Sequence, residues 1–408
     1  MFDVNKIRDD FPMIKNNPGI IYFDSAATSF KPYTVINKVS EYYEKFNTNI
    51  HRGDYDLSYI VSKAYDDTRN TIKEFINAND EKEIVFTPGD TASINNIAHG
   101  YACKYLGKDD VLLTTQVEHA SDILPWFRVS EKTGCKIEYI PVNDDGTFDI
   151  EKYKKCFENN NTKFVALTYI SNVLGYVYPI KEIVKIAHEH GAVVSVDGAQ
   201  AVPHIKVDVK DLDCDFLSFS SHKCLGPAGV GVLYGKFDLL EKTEPLMLGG
   251  GSNARFDNQG NIILKGTPYK FEAGTPNIEG VLGLNEAVKY LMDVGVDNIQ
   301  SYDKELCDYL ISKLSKLDNV ELYNSKSDTG IVSFNVKGVF AQDAASYFNK
   351  MGICVRAGNH CAKILNNVIG TNESIRASLY LYNTKEEIDK FVDVVKETTL
   401  ENCIGAVI

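Results

Sequence analysis

The chain has 408 residues, 44% hydrophobic and 24% charged, a balance typical of a soluble globular protein with more than one core. Its net charge of −13 argues against nucleic acid or an anionic membrane as a partner, because both require a basic face. No apolar run approaches the length of a bilayer span, and the first residues lack the apolar stretch of a secretion signal. We therefore expect a cytoplasmic protein.

Nine cysteines are spread singly along the chain, without a CxxC pair. This pattern favours reduced thiols over a disulfide framework or a zinc site. His188 and His190 are two positions apart on a predicted helix and point to different faces, so we expect no metal site there.

In chain order, apolar segments alternate with amphipathic ones through the middle of the sequence. The predicted strands are Glu83–Thr87, Val111–Thr115, Lys136–Val142, Lys163–Ile170, Ala192–Asp197, Phe216–Ser220 and Gly229–Gly235. Segments with helical period, such as Thr91–Tyr105 and Ile180–His190, separate most of them. This alternation predicts an α/β fold with a mainly parallel seven-stranded sheet between helices. Only a Gly/Pro loop joins the last two strands, which is compatible with one antiparallel strand.

After Gly280 the pattern changes to helices Gly280–Val294 and Ile299–Leu317, short strands, and a closing helix Lys385–Leu400. We predict a large domain of residues 18–280 and a small α+β domain formed by residues 1–17 and 281–408.

Polar residues follow several predicted strands directly: Thr87–Thr91, His119, Asn172, Asp197–Gln200 and Ser220–Lys223. Ligands of open parallel sheets bind where the strands end at their carboxyl edge. We therefore expect these five groups to meet at one rim.

Lys223 stands between two segments that both have the composition of core strands, in "SFSSHKCLGPAGVGVLYGK". The ordinary alternative for Lys223 is a surface loop, where most lysines lie. The ordinary alternative for Asp197 is the N-cap of the next helix. A buried lysine that forms a Schiff base loses its full charge, and an aspartate at a strand end can hold a protonated ring nitrogen. Lysine, aspartate and a phosphate cup together indicate pyridoxal phosphate. Thr91 at a predicted helix start, with Ser220 and His222, is the candidate cup.

The order of motifs resembles that of cysteine desulfurases among the fold-type I pyridoxal-phosphate enzymes, in the SufS-like and selenocysteine lyase-like subgroup. The similarity runs nearly end to end. It is carried by "YFDSAATS" (Tyr22–Ser29), "HRG" (His51–Gly53), "EHASDILPW" (Glu118–Trp126), "SNVLG" (Ser171–Gly175), "VDGAQAVPH" (Val196–His204), "SHKCLGPAGVGVLYG" (Ser221–Gly235), "FEAGTPN" (Phe271–Asn277), "VRAGNHCA" (Val355–Ala362) and "RASLYLYNT" (Arg376–Thr384).

The resemblance implies a role for each matching residue. Lys223 would hold the cofactor covalently and move the Cα proton, with His119 stacked on the ring and assisting. Asp197 would contact the ring nitrogen and Gln200 the ring hydroxyl. The phosphate would be held by Thr91, Ser220 and His222, together with Thr275 of a second subunit. The substrate would be bound by Asn172, Arg376 and His51. A homodimer and a sulfur-acceptor protein are also implied.

Cys361 is the cysteine that lies in a polar segment with cations, flanked by Arg356, His360 and Lys363. Positive charge near a thiol favours the reactive thiolate. An ordinary loop cysteine is the alternative, but the position matches the sulfur-accepting cysteine of the family. The implied reaction converts L-cysteine to L-alanine and leaves a persulfide on Cys361, for sulfur transfer such as iron–sulfur cluster assembly.

Two positions depart from the family pattern: Asn359 stands where histidine is common, and Asp90 where a hydroxyl residue is common. We expect the Asp90 carboxylate to turn away from the phosphate and cap the helix. Three alternatives stay open at this point: a selenocysteine lyase, another pyridoxal-phosphate aminotransferase or lyase, and a non-catalytic cofactor-binding scaffold.

Overall fold

A computed structural model describes residues 2–158 and 160–407, with side chains up to residue 404. The strands are β1 Ile21–Tyr22, β2 Ile84–Thr87, β3 Val111–Thr114, β4 Lys136–Tyr139, β5 Thr162–Thr168, β6 Val193–Asp197, β7 Phe216–Ser220, β8 Gly231–Gly235, β9 Asn253–Phe256, β10 Ile262–Leu264, β11 Val320–Leu322, β12 Ile331–Val336, β13 Ile353–Cys354, β14 Arg356–Gly358 and β15 Ser374–Ser378.

The α-helices are α1 Val4–Asp9, α2 Pro12–Asn16, α3 Tyr33–Glu41, α4 Asp56–Phe75, α5 Asp90–Ile97, α6 Cys103–Tyr105, α7 Leu124–Thr133, α8 Ile150–Lys155, α9 Ile180–Glu189, α10 Val209–Leu212, α11 Phe237–Lys242, α12 Ile278–Val294, α13 Val296–Leu314, α14 Ala341–Lys350, α15 Leu365–Ile369, α16 Lys385–Lys396 and α17 Leu400–Val407. Among the residues described, no helix has the length and apolar character needed to cross a bilayer.

The central sheet has seven strands in the order β2-β8-β7-β6-β5-β3-β4. All of its neighbours pair in parallel except β8, which is antiparallel to both β7 and β2. The predicted fold class and the antiparallel strand after the Gly/Pro loop are confirmed. The predicted third strand reaches Val142, but β4 ends at Tyr139, since Pro141 has no amide hydrogen for the ladder.

A second sheet, in the order β11-β12-β15-β14, is antiparallel and encloses its own apolar cluster with α13, α14 and α16. The N-terminal strand β1 pairs in parallel with β13, so residues from both ends of the sequence meet. The division into residues 18–280 and the remainder stays a prediction. The predicted closing helix is in fact two, α16 and α17, because residues 397–399 leave the helical conformation.

Candidate active site

Lys223 follows β7 in one short turn, Ser221–Lys223, at the carboxyl edge of the central sheet. Hydrogen bonds from Ser221 N to Val230 O (3.0 Å) and from Cys224 N to Ser221 O (2.8 Å) fix this turn against the return into β8. A Cβ atom at Gly231 would lie 2.4 Å from the Gly89 carbonyl carbon. Glycine at this position therefore lets the start of α5 pack against β8, next to the lysine.

A cavity of about 160 Å³ opens at this edge. It brings together strand ends of the central sheet, the start of α5 and two arginines of the second sheet. Its walls are Ala26, Ala27, Asp90, Thr91, His119, Ser121, Thr168, Asn172, Asp197, Ala199, Gln200, Ser220, His222, Lys223, Arg356 and Arg376. Nine of the twelve predicted site residues line this one cavity.

Lys223 and Asp197 form the charged floor of the cavity. Burial lowers the pKa of Lys223, while the carboxylates of Asp197 and Asp90 oppose that shift. Burial raises the pKa of Asp197, and the charge of Lys223 opposes it. One Asp197 oxygen, Oδ1, accepts a hydrogen bond from Ala199 N at 2.9 Å and caps the local turn. The lowered pKa favours the neutral amine of Lys223, the form that attacks a carbonyl group.

His119 is a neutral imidazole at neutral pH. Burial lowers its pKa to about 4, and the charges of Lys223, Arg356 and Arg376 add to that shift. Its Nδ1 accepts a hydrogen bond from Ser121 N at 3.1 Å, which assigns the ring proton to Nε2. His119 therefore lines the cavity as a neutral imidazole whose single N–H group is at Nε2.

The start of α5 and the end of β7 form the predicted phosphate cup. Ser220 Oγ accepts a hydrogen bond from Asp90 N (2.8 Å), and the hydroxyls of Thr91 and Ser121 are 2.7 Å apart. Burial lowers the pKa of His222 to about 4, so it is also neutral. Amides at a helix start and hydroxyl groups are suited to an anion.

The expectation that Asp90 caps α5 is wrong. Gly89 is the N-cap residue and makes no side-chain capping bond, and Asp90 is the first helical residue. The Asp90 side chain is buried and lines the cavity, because the backbone turns one residue earlier than the capping interpretation required.

Gln200 and the two alanines Ala26 and Ala27 form another wall. Gln200 Nε2 donates to Ala26 O at 2.9 Å, whereas its Oε1 is buried with no hydrogen-bond partner among the described residues. A buried acceptor without a donor favours a ligand hydroxyl. Lys223, Asp197, this free acceptor and the anion cup fit pyridoxal phosphate.

Arg376 and Asn172 lie together in the cavity wall. Arg376 Nη1 donates to Asn172 O at 2.9 Å, and its Nη2 pairs with Asp24 Oδ1 at 3.0 Å. Its Nε has no partner among the described residues. A buried guanidinium with a free N–H group is suited to a carboxylate ligand.

Cys361 lies beside this cavity rather than in its wall. Its side chain is exposed, and Arg356, which does line the cavity, donates from Nη2 to Cys361 Sγ at 3.3 Å. His360 is not a flanking cation: burial lowers its pKa to about 3, and its Nε2 lies 2.9 Å from Ser374 O. Arg356 is therefore the cation that contacts the sulfur.

The backbone of this loop is strained and tethered. His360 and Cys361 have φ values of 49° and 58°, a left-handed conformation unusual for two successive residues other than glycine. Asn172 Nδ2 donates to His360 O (2.9 Å), and Ala120 N donates to Cys361 O (2.7 Å). Two contacts from the cavity region therefore hold the loop that carries the thiol.

We predict that Asn172→Ala increases the alkylation rate of Cys361 about fivefold, because one hydrogen bond of about 1 kcal/mol would no longer hold the loop. Iodoacetamide labelling followed by peptide mass spectrometry measures this rate for each cysteine. Asn298→Ala is the matched control, since the Asn298 amide, at the start of α13, also donates to a carbonyl, Val294 O at the end of α12. An unchanged rate at Cys361 would contradict the tether.

His51 and Thr275 lie outside the cavity in the single chain. His51 Nε2 is 3.6 Å from Asp66 Oδ1, and Thr275 lines a different cavity of about 320 Å³. Asn49 Nδ2 reaches Thr275 Oγ1 at 3.3 Å, so the two loops that carry His51 and Thr275 are joined. Their predicted roles stay predictions.

Sequence reasoning missed Ala26, Ala27, Thr168 and Ser121 in the cavity wall, and Asp24 behind Arg376. The small residues in "SAAT" were the available signal, since a wall close to a ligand requires short side chains. In the described chain, no group of three or more His, Cys, Asp or Glu side chains is arranged to hold a metal.

The chain belongs to the class-V aminotransferase family, whose model matches residues 21–391. Two similar curated relatives are each named as a probable cysteine desulfurase. That of Halalkalibacterium halodurans is 42% identical over 399 residues, covering 97% of this chain and 98% of the relative. That of Staphylococcus aureus is 42% identical over 402 residues, covering 97% of each.

Solved structures of cysteine desulfurases have the same fold. The apo enzyme of Thermococcus onnurineus NA1 superposes with a TM-score of 0.92 at 37% identity, covering 96% of this chain and 97% of the other. An enzyme of Escherichia coli superposes with a TM-score of 0.91 at 33% identity, covering 99% of both. The family predicted from the motifs is confirmed.

Proposed function

We propose that the chain is a pyridoxal-phosphate-dependent cysteine desulfurase that converts L-cysteine to L-alanine and receives the sulfur as a persulfide on Cys361. The observation that carries this proposal is the arrangement of three parts within one small region: Lys223 with Asp197, the buried guanidinium of Arg376, and a thiol in contact with a cavity arginine. An aminotransferase needs the first two parts but not the third.

When bound, pyridoxal phosphate supplies an electron sink for the negative charge that develops at the substrate Cα. Asp197 would hold a proton on the ring nitrogen, which would keep that sink effective. Gln200 Oε1 would accept a hydrogen bond from the ring hydroxyl, while Thr91, Ser220, His222 and the α5 amides would hold the phosphate. Lys223 would anchor the cofactor, and its amine would take the Cα proton of the substrate.

Arg376 and Asn172 bind the substrate carboxylate, and His119 assists proton transfer through Nε2. The Cys361 thiolate, beside Arg356, attacks the substrate sulfur. The sulfur–sulfur bond forms as the carbon–sulfur bond breaks, and the electron pair stays on carbon, which takes up a proton. L-cysteine and the Cys361 thiol thus yield L-alanine and a Cys361 persulfide.

A homodimer is part of this proposal. His51 and Thr275 lie on joined loops away from their own cavity, and the neighbouring segments expose apolar side chains such as Tyr59 (71% exposed) and Leu248 (60% exposed). Such side chains are typical of an interface. In a dimer, Thr275 contacts the partner's cofactor phosphate and His51 the partner's substrate.

The persulfide sulfur then passes to an acceptor protein, in a pathway such as iron–sulfur cluster assembly. Cys361 is exposed, which supports transfer to an external thiol. A cytoplasmic location accords with nine cysteines that are all free in the structure, since reduced thiols are typical of that compartment. The net charge of −13 disfavours nucleic acid and anionic membranes as partners.

The test is the stoichiometry of products from L-cysteine in the presence of a reductant. We expect alanine and sulfide in equal amounts, because each turnover releases one of each. Formation of a keto acid without sulfide would identify an aminotransferase, and turnover with selenocysteine but not with cysteine a selenocysteine lyase. A protein that binds the cofactor and forms none of these products would be a scaffold.

A further inference from the structure

The phosphate cup contains a carboxylate. Asp90 is the first residue of α5, and its backbone N–H already donates to Ser220 Oγ at 2.8 Å. The side chain is only 6% exposed and lines the cavity with Thr91 and Lys223. A negative charge here is unexpected, because the helix start and the hydroxyl groups form an anion site.

One oxygen of this carboxyl group, Oδ1, is buried with no hydrogen-bond partner among the described residues. The groups that face Asp90 come from three neighbouring segments. Ser218 on β7 and Lys223 after it favour the charged form, whereas Asp197 on β6 disfavours it. Asp122, before α7, is a further buried acid whose pKa Asp90 helps to raise. Burial is the largest effect and raises the pKa of Asp90 to about 8.

The charges explain what happens when a phosphate enters. Asp197 must be ionised to hold a proton on the ring nitrogen, and the phosphate brings up to two more negative charges. Lys223 is the cation that favours the charged form of both carboxyl groups, and it would become part of the linkage to the cofactor. Charges within a few ångströms in a poorly solvated site repel strongly, so an ionised Asp90 would oppose binding.

We propose that Asp90 takes part in the cofactor site as a neutral carboxylic acid, so that cofactor binding requires a bound proton and weakens when Asp90 ionises. This inference rests on the proposed function, since it presupposes that pyridoxal phosphate binds in this cavity. The neutral acid has one O–H donor, which a phosphate or a ring oxygen can accept. It replaces, in this chain, the hydroxyl group that the family commonly has at this position.

The sign of the pH dependence follows from linkage. A group that is more basic in the bound state makes binding take up a proton above its free-state pKa. For wild type, affinity is therefore constant below about pH 8 and falls by up to about tenfold for each pH unit above it. The side chain at position 90 cannot ionise in Asp90→Asn, so the affinity of this variant does not fall for this reason.

The experiment titrates full-length apoprotein with pyridoxamine 5′-phosphate, which forms no Schiff base with Lys223, and repeats the titration with pyridoxal 5′-phosphate. The single tryptophan, Trp126, reports binding by fluorescence: it is buried, and its Nε1 donates to Asp122 Oδ1 near the site. Dissociation constants are measured from about pH 7 to pH 9.5 for wild type and Asp90→Asn. Ionisation of the ligand affects both proteins equally, so the ratio of constants isolates Asp90.

We expect the ratio of wild-type to Asp90→Asn dissociation constants to rise at least about tenfold across this range. Parallel profiles would overturn the inference while leaving the proposed function in place. Failure of wild type to bind either compound at any pH would overturn both. Asp90→Thr, which restores the common hydroxyl, serves as the second non-ionising variant if Asp90→Asn does not fold, and the same ratio is expected.

Discussion

Replacing Lys223 by alanine is expected to reduce alanine formation from L-cysteine by at least about a thousandfold. The variant loses both the covalent anchor of the cofactor and the amine that moves the Cα proton, and a general base alone contributes about 10²–10⁴-fold. Alanine release is measured by amino-acid analysis. In parallel, borohydride reduction and peptide mass spectrometry locate the covalently attached cofactor, which we expect on Lys223 in wild type and absent from the variant.

Lys236→Ala is the matched control for this change. Lys236 directly follows β8 and pairs with Asp213 and Asp215 rather than lining the cavity, so its loss should leave turnover near the wild-type value. Retention of a tenth or more of the activity by Lys223→Ala, or a reduced cofactor on another lysine, would contradict the assigned role.

Replacing Cys361 by alanine is expected to leave cofactor binding intact and to lower alanine formation to below about 1% of wild type. Cys361 is not part of the cavity wall. The absorption spectrum of the Cys361→Ala variant with bound cofactor should therefore match that of wild type. Without the thiolate, however, no protein nucleophile accepts the substrate sulfur. Mass spectrometry of wild type after substrate addition should find one additional sulfur atom on the peptide that contains residue 361.

Cys103→Ala provides the comparison, because Cys103 is half-buried on α6 and the environment raises its thiol pKa, mainly through burial. We expect it to retain full activity and to form the persulfide. Full activity of Cys361→Ala would eliminate the persulfide mechanism and require a different pyridoxal-phosphate reaction on the same scaffold.

The rim of the site could be predicted from the sequence because strand ends of a parallel sheet meet at one edge. Asp197, Ser220 and Lys223 follow that rule directly, and each lines the cavity. The pairing of β1 with β13 obeys no such local rule, since its partners are distant in sequence. The sequence therefore does not indicate that Ala26 and Ala27 line the cavity, although it shows that both are small.

Electrostatic details depended on burial, which the sequence does not give residue by residue. The sequence places His360 among the cations that flank Cys361, but its buried ring is neutral and Arg356 makes the contact with the sulfur. Asp90 was expected to turn away as a cap, and it points into the cavity instead. In both cases the local motif was identified, but the orientation of the side chain was set by packing from other elements.

Segments that are far apart in the sequence meet at the cavity, and this has a consequence for the synthesis of the protein. Ala26 N donates to Ser378 Oγ at 3.0 Å, a contact between residues 352 positions apart, next to the cavity wall. During translation, an emerging chain can form much of the central sheet long before Arg376 exists. The complete pocket arises only when the chain has been made past Arg376, so ligand binding stabilises molecules that contain this segment in preference to shorter nascent chains. Cofactor supply should therefore govern the yield of mature protein more than the early steps of its folding.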